Sequence, residues 1–206
     1  MNISNLEKDE LIEVMTIAIG NASAALSKMA GKKIRVFVPD IFVGAAENIQ
    51  DFFGNRDVPV TMVLVRLDGR AAGFMLLVFS PENAASLAGI LTNSESGKLD
   101  DFGRSALKEA GNILSGNCFA AISKFIDFQI TQSVPDSATD MFGSVTDSLI
   151  AELGIASGDV LALKIGFRVE GDGIDGQFIF MFDPGTTMRI LQAIKRKFGY
   201  GRSDTN

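Results

Sequence analysis

Gly20-Asn21-Ala22-Ser23-Ala24-Ala25-Leu26-Ser27-Lys28 returns 96 positions later as Gly116-Asn117-Cys118-Phe119-Ala120-Ala121-Ile122-Ser123-Lys124, with six of nine residues identical. Working outward at the same offset, Leu11 returns as Leu107, Glu13 as Glu109, and Val38-Pro39-Asp40 as Val134-Pro135-Asp136. Three separate segments in one register indicate a duplication, and a fold must be read from the repeating unit before anything else. Later in each half Gly73 to Pro81 resembles Gly176 to Pro184, 103 positions on, so the second half has gained seven residues in between.

Each half reads as helix, short strand, variable connection, strand hairpin and helix. Val60 to Leu67 and Ala71 to Phe79 are β-rich runs around Asp68-Gly69, a pair suited to the positive φ angles of a tight turn. Val160 to Val169 and Gln177 to Phe182 do the same around the glycine-rich Gly171 to Gly176. Pro81 and Pro184 then open helical patterns running to Leu91 and Lys197, as suits a residue whose φ is already helical. The duplication predicts a pseudo-twofold α/β protein of the α+β type. Adjacent hairpins predict a largely antiparallel central sheet with long helices on a face. No Pro/Ser/Gly linker parts the halves, so residues 1–206 are expected as a single domain of two repeats, about 1–95 and 97–200. A flexible tail is expected at 201–206 after the basic helix end Lys195-Arg196-Lys197.

Hydrophobic residues make up 47% of the 206, and charged residues 21%, the profile of a chain that buries a core. A net charge of −6 argues against a nucleic-acid partner, which demands a basic surface. Histidine is absent and cysteine occurs once, at Cys118, which leaves no disulfide within the chain, no His-assisted nucleophile and little zinc chemistry. The amino terminus is polar and acidic, unlike a signal peptide, and no apolar run reaches the ~18 residues of a membrane span. A soluble, cytoplasmic protein is the expectation.

Asp101 to Phe125 is a long helical pattern whose Leu107, Leu114, Cys118, Ala121 and Ile122 form one apolar stripe. With Glu109 at 0°, Ser105 lies at about −40°, Asn112 at about −60° and Gly116 at about −20°, opposite that stripe. Three polar side chains therefore share one exposed strip, with room left above them by a glycine. Gly111 points inward, where close packing explains it. Ser105 has the chemistry of a helix-start residue, with Asp101 competing for the cap.

Ser105, three residues, Glu109, two residues, Asn112, twenty-two residues and Pro135 resemble the signature of the CheC, CheX and FliY phosphatases. The tandem architecture resembles CheC over nearly the whole chain; CheX-like proteins are shorter and carry one motif. The resemblance implies a CheC-like fold and dephosphorylation of the chemotaxis response regulator CheY-P. It implies that Glu109 pairs with a lysine of the regulator, that Mg2+ belongs to the regulator, with no cofactor on this chain, and that the deamidase CheD is a further partner. An aspartyl phosphate is already activated, so its hydrolysis needs a water held in line with the leaving carboxylate. The planar amide of Asn112 carries a donor and an acceptor and can orient that water. Pro135 is assigned a structural role behind the helix.

Shifted back by 96, the motif falls on Asp9, Glu13, Thr16 and Pro39. Thr16 replaces the amide with a shorter side chain lacking the donor-acceptor pair, so one competent site, in the second half, is expected. Two other readings stay open. One is a non-catalytic interaction or adaptor protein resembling FliM, or binding CheD. The other is a small-molecule enzyme using Asp9 with Glu13 or Asp100 with Asp101, although acidic pairs at helix starts more often serve the helix dipole.

Overall fold

Ser4 starts the chain's first helix with a capping box: its side chain accepts from the Glu7 amide while the Glu7 carboxylate accepts from the Ser4 amide. The computed structural model describes residues 4–69, 71–94, 97–153 and 158–198. Helix α1 (Asn5–Ala30) leads to strands β1 (Ile34–Val36) and β2 (Asp40–Ala45), a 3-10 turn at Ala46–Asn48 and the short helix α2 (Ile49–Phe53). The hairpin β3 (Pro59–Asp68) and β4 (Gly73–Phe79) follows, then α3 (Pro81–Thr92). The same order recurs with α4 (Asp101–Ile126), β5 (Thr131–Gln132), β6 (Asp136–Met141), α5 (Phe142–Glu152), β7 (Asp159–Val169), β8 (Ile174–Phe182) and α6 (Pro184–Phe198). The tail expected at 201–206 lies outside the described residues.

All eight strands form one antiparallel sheet in the order β1-β7-β8-β4-β3-β5, with β2 also on β7 and β6 also on β3. The two hairpins meet at its centre, where β4 pairs with β8 from Gly73↔Phe182 to Val78↔Gln177. Each half then sends its two short strands across to the other half's hairpin: β1 and β2 lie on β7, and β5 and β6 lie on β3. Neither half completes its own share of the sheet.

Strand periodicity divides the sheet's side chains between two cores. Val63, Val65, Met75, Leu77, Leu163, Ile165, Phe178 and Phe180 pack under α1, α3, α4 and α6. Met62, Phe74, Leu76, Val160, Ile179 and Met181 point the other way, onto Ile49 and Phe53 of α2 and Phe142 and Leu149 of α5. The expectation of long helices on a face therefore describes one side only. Short helices from the variable connections cover the opposite one, because both faces of the central strands are apolar.

The glycine-rich connection is shorter than its sequence suggests. Gly171 and Gly173 take φ of +91° and +66°, whereas Ile174 to Gly176 already belong to β8. A Cβ on Gly176 would strike the Phe167 and Phe79 rings, so aromatic packing is what requires that glycine. Close packing also explains Gly111, where a Cβ would stand 2.6 Å from Val63 Cγ1. Val63 is fully buried in a central strand and β-branched, so it has little rotamer freedom with which to give way. Gly111→Ala is expected to lose about 1–3 kcal/mol to overpacking against about 1 kcal/mol of helix propensity, a net destabilisation. Gly116→Ala, whose Cβ meets nothing within 4 Å, is expected to stabilise. Denaturant midpoints of the two variants check the opposite signs.

Candidate functional site

α4 packs along α1 and α3 through Leu107, Ala110, Leu114, Cys118 and Ile122, all buried, and this fixes which side faces out. Ala121, placed in the apolar stripe by sequence, is half-buried. The helix begins one residue earlier in its capping than expected. Asp100, not Asp101, is the N-cap and accepts from the Gly103 amide at 2.7 Å. Ser105 is exposed and donates its hydroxyl to the Asp101 carbonyl at 2.9 Å, bonding backwards along the helix instead of accepting from amides at its start.

Glu109 is exposed, and its carboxylate joins none of the described ion pairs or side-chain hydrogen bonds. Asn112, one turn on, is half-buried, and Gly116 leaves open space beyond it. Pro135 is half-buried in the step between β5 and β6. Glu109 and Asn112 thus lie together on the outer strip, with Pro135 at the neighbouring strand step.

Two features of this surface were not legible as site residues. Phe102 lies on the same strip at about +20° from Glu109 and is 68% exposed, and Val134, beside Pro135, is 87% exposed. Gln132 of β5 reaches over to Asn112: its Nε2 donates to Asn112 Oδ1 at 2.9 Å and to the Asn112 carbonyl at 3.4 Å. Its strand is held on β3, where Ser133 exchanges bonds with Arg66 and Thr131 Oγ1 donates to the Asp68 carbonyl at 2.8 Å. The available signal was a difference between the halves, since Gln132 stands 96 positions after Val36 just as Asn112 stands 96 after Thr16.

In the first half Asp9, Glu13 and Thr16 are exposed on α1, whereas Pro39 is buried. Leu6, 49% exposed, and Val38, 76% exposed, repeat the positions of Phe102 and Val134. The apolar flanks and the carboxylate are thus present twice, and the amide pair Asn112-Gln132 once.

Cys118 takes no part in this surface. It lies between α4 and α1 with Sγ 3.9 Å from the Ala18 carbonyl, and burial pushes its thiol up to about 12, so a thiolate nucleophile is excluded at neutral pH. Among the described residues no cluster of three His, Cys, Asp or Glu is placed to hold a metal, and no helix is long and apolar enough to cross a membrane. A cavity of about 520 Å3 opens elsewhere, near Phe53, Phe142 and Gln177; its carboxylate, Asp175, is held by Arg168. Neither Asp9 with Glu13 nor Asp100 with Asp101 lines that cavity.

Residues 102–137, which contain all four motif positions, match the model of the CheC-like family. The chain is 31% identical over 156 residues to the CheY-P phosphatase CheC of Bacillus subtilis, spanning 73% of this chain and 75% of that protein. The crystal structure of Thermotoga maritima FliY superposes with a TM-score of 0.76 at 22% identity, covering 96% of this chain and 100% of that one. A chain of the CheX-CheY-BeF3-Mg2+ complex from Borrelia burgdorferi matches with a TM-score of 0.56 at 18% identity, covering 82% of this chain and 97% of that one.

Proposed function

The chain belongs to the CheC-like family, and we propose that it hydrolyses the aspartyl phosphate of a CheY-like response regulator at the α4 strip of its second half. The observation that supports this reading most is the exposed Glu109 beside the half-buried amide of Asn112, on one outward face with open space at Gly116. Family membership and the motif's spacing supply the substrate class, and the strip supplies chemistry that the substrate needs.

In this reading Phe102 and Val134 give the regulator an apolar contact, and Glu109 grips a lysine beside the phosphorylated aspartate through a charge-assisted hydrogen bond. The Asn112 amide then holds a water opposite the leaving carboxylate. Water oxygen bonds to phosphorus, the bond from phosphorus to the aspartate oxygen breaks, and inorganic phosphate and a free carboxylate result. Mg2+ would belong to the regulator, where it would neutralise phosphate charge. No group on this chain is phosphorylated, so neither histidine nor thiolate is required.

The first half keeps Glu13, Leu6 and Val38 but presents Thr16, so it binds the regulator without turning it over. That asymmetry separates the proposal from a FliM-like adaptor, which needs no amide in either half.

The test is phosphate release from CheY phosphorylated with acetyl phosphate, followed at increasing regulator concentration. Glu109→Gln, which keeps the shape but loses the charge, is expected to raise KM roughly 10-fold with a smaller change in kcat. An unchanged KM would remove Glu109 from the docking contact.

A further inference from the structure

Asn112 works, on the reading just given, only if its amide points one way, and a freely rotating amide presents either end to the water. Gln132 removes that freedom. A main-chain carbonyl can only accept, so the bond to the Asn112 carbonyl fixes the nitrogen end of Gln132 toward α4. Beside that nitrogen only Oδ1 of Asn112, and not its Nδ2, can make the 2.9 Å bond. The donor Nδ2 is therefore turned away from β5, and it bonds to no described residue.

We infer that Gln132 is a positioning residue for the hydrolytic site, locking the Asn112 amide with Oδ1 toward the sheet and Nδ2 free for water or phosphate oxygen. Two independent observations agree. Gln132 Oε1 is buried without a hydrogen-bond partner among the described residues, an arrangement that costs about 1–3 kcal/mol. A side chain kept for stability alone gains nothing from that orphaned acceptor. Secondly, the two halves differ at both ends of this contact together, with Thr16 and Val36 in place of Asn112 and Gln132. A half without the amide also lacks the residue that would aim it.

The inference rests on Asn112 being the water-positioning group, so the experiment carries variants of both. Phosphate release from CheY phosphorylated with acetyl phosphate is measured for wild type, Gln132→Met, Gln132→Glu, Asn112→Ala and Asn112→Ala with Gln132→Met. Gln132→Met keeps the volume without the donor, and Gln132→Glu keeps the shape while placing an acceptor against Oδ1. Both are expected to lower kcat by ~10-fold to ~100-fold while KM stays within about twofold, as for a misplacement of a positioned group. Adding Gln132→Met to Asn112→Ala is expected to change nothing further.

Wild-type kcat in both Gln132 variants, with Asn112→Ala impaired, overturns the role of Gln132 and leaves the proposed function standing. Wild-type kcat in Asn112→Ala overturns the proposed function itself. A fall in kcat that adds in full to that of Asn112→Ala also overturns the inference, because the two residues would then act separately.

Discussion

Asn112→Ala is expected to lower the kcat for regulator dephosphorylation by ~100-fold or more while leaving KM nearly unchanged. The side chain is half-buried at one turn from Glu109 and reaches no described ion pair, so its removal takes away a hydrogen-bonding amide and little packing. Glu109, Phe102 and Val134, which form the proposed docking surface, stay in place. Because an aspartyl phosphate is intrinsically reactive, the site contributes chiefly by placing one water, and loss of placement falls on kcat alone. The change also takes from Gln132 Nε2 its 2.9 Å bond and leaves it only the 3.4 Å contact with the main-chain carbonyl, so a modest fall in stability accompanies it. Whatever activity remains in this variant bounds what Thr16 contributes in the first half. A matching rise in KM would mean instead that Asn112 holds the regulator and does not act on its phosphate.

The second large effect runs in the opposite direction. On the Asn112→Ala background, Thr16→Asn together with Val36→Gln is expected to restore ~10-fold or more of the lost rate, now from the first half. Thr16 is exposed on α1 and Val36 is half-buried in β1, which lies on β7 as β5 lies on β3. The first half already exposes the carboxylate Glu13 and the apolar residues Leu6 and Val38, the counterparts of Glu109, Phe102 and Val134. Thr16→Asn alone is expected to recover much less, because an unanchored amide spends part of its time with the wrong end outward. Equal recovery by the single and double variants would show that the anchor is dispensable.

The contrast between the halves also shows what a sequence can carry. The hairpins were legible because Val60 to Leu67, Ala71 to Phe79 and their counterparts are long apolar runs closed by Gly-containing turns and prolines. The strip on α4 was legible because helical periodicity places Ser105, Glu109 and Asn112 by arithmetic alone. The strand β6 was not, since Asp136 to Met141 is polar and mostly exposed, with no apolar alternation to mark it. Its pairing with β3 of the other half was equally hidden. A duplicated sequence is satisfied by pairing within each half or by exchange between halves, and only the packed sheet decides between them.

Capping at Asp100 instead of Asp101 turned on a single residue's backbone, which two adjacent aspartates leave ambiguous. Gln132 escaped notice for a different reason. Its contact with Asn112 joins residues 20 apart through the way α4 settles on the sheet, and no local periodicity encodes that. Gly111 and Gly176 divide similarly: the inward direction of the first follows from the helix, whereas the rings that crowd the second arrive from Phe79 and Phe167 on two other strands. Apart from the cap, what the sequence left out was a contact between elements.

The most direct measurement mixes CheY phosphorylated with acetyl phosphate with a small fraction of the unmodified chain and follows the aspartyl phosphate with time, once the phosphodonor is removed. The phosphate is expected to disappear faster than by spontaneous hydrolysis, in proportion to the chain added, with many phosphates released per chain. A decay that matches the spontaneous rate at every concentration of the chain contradicts the account.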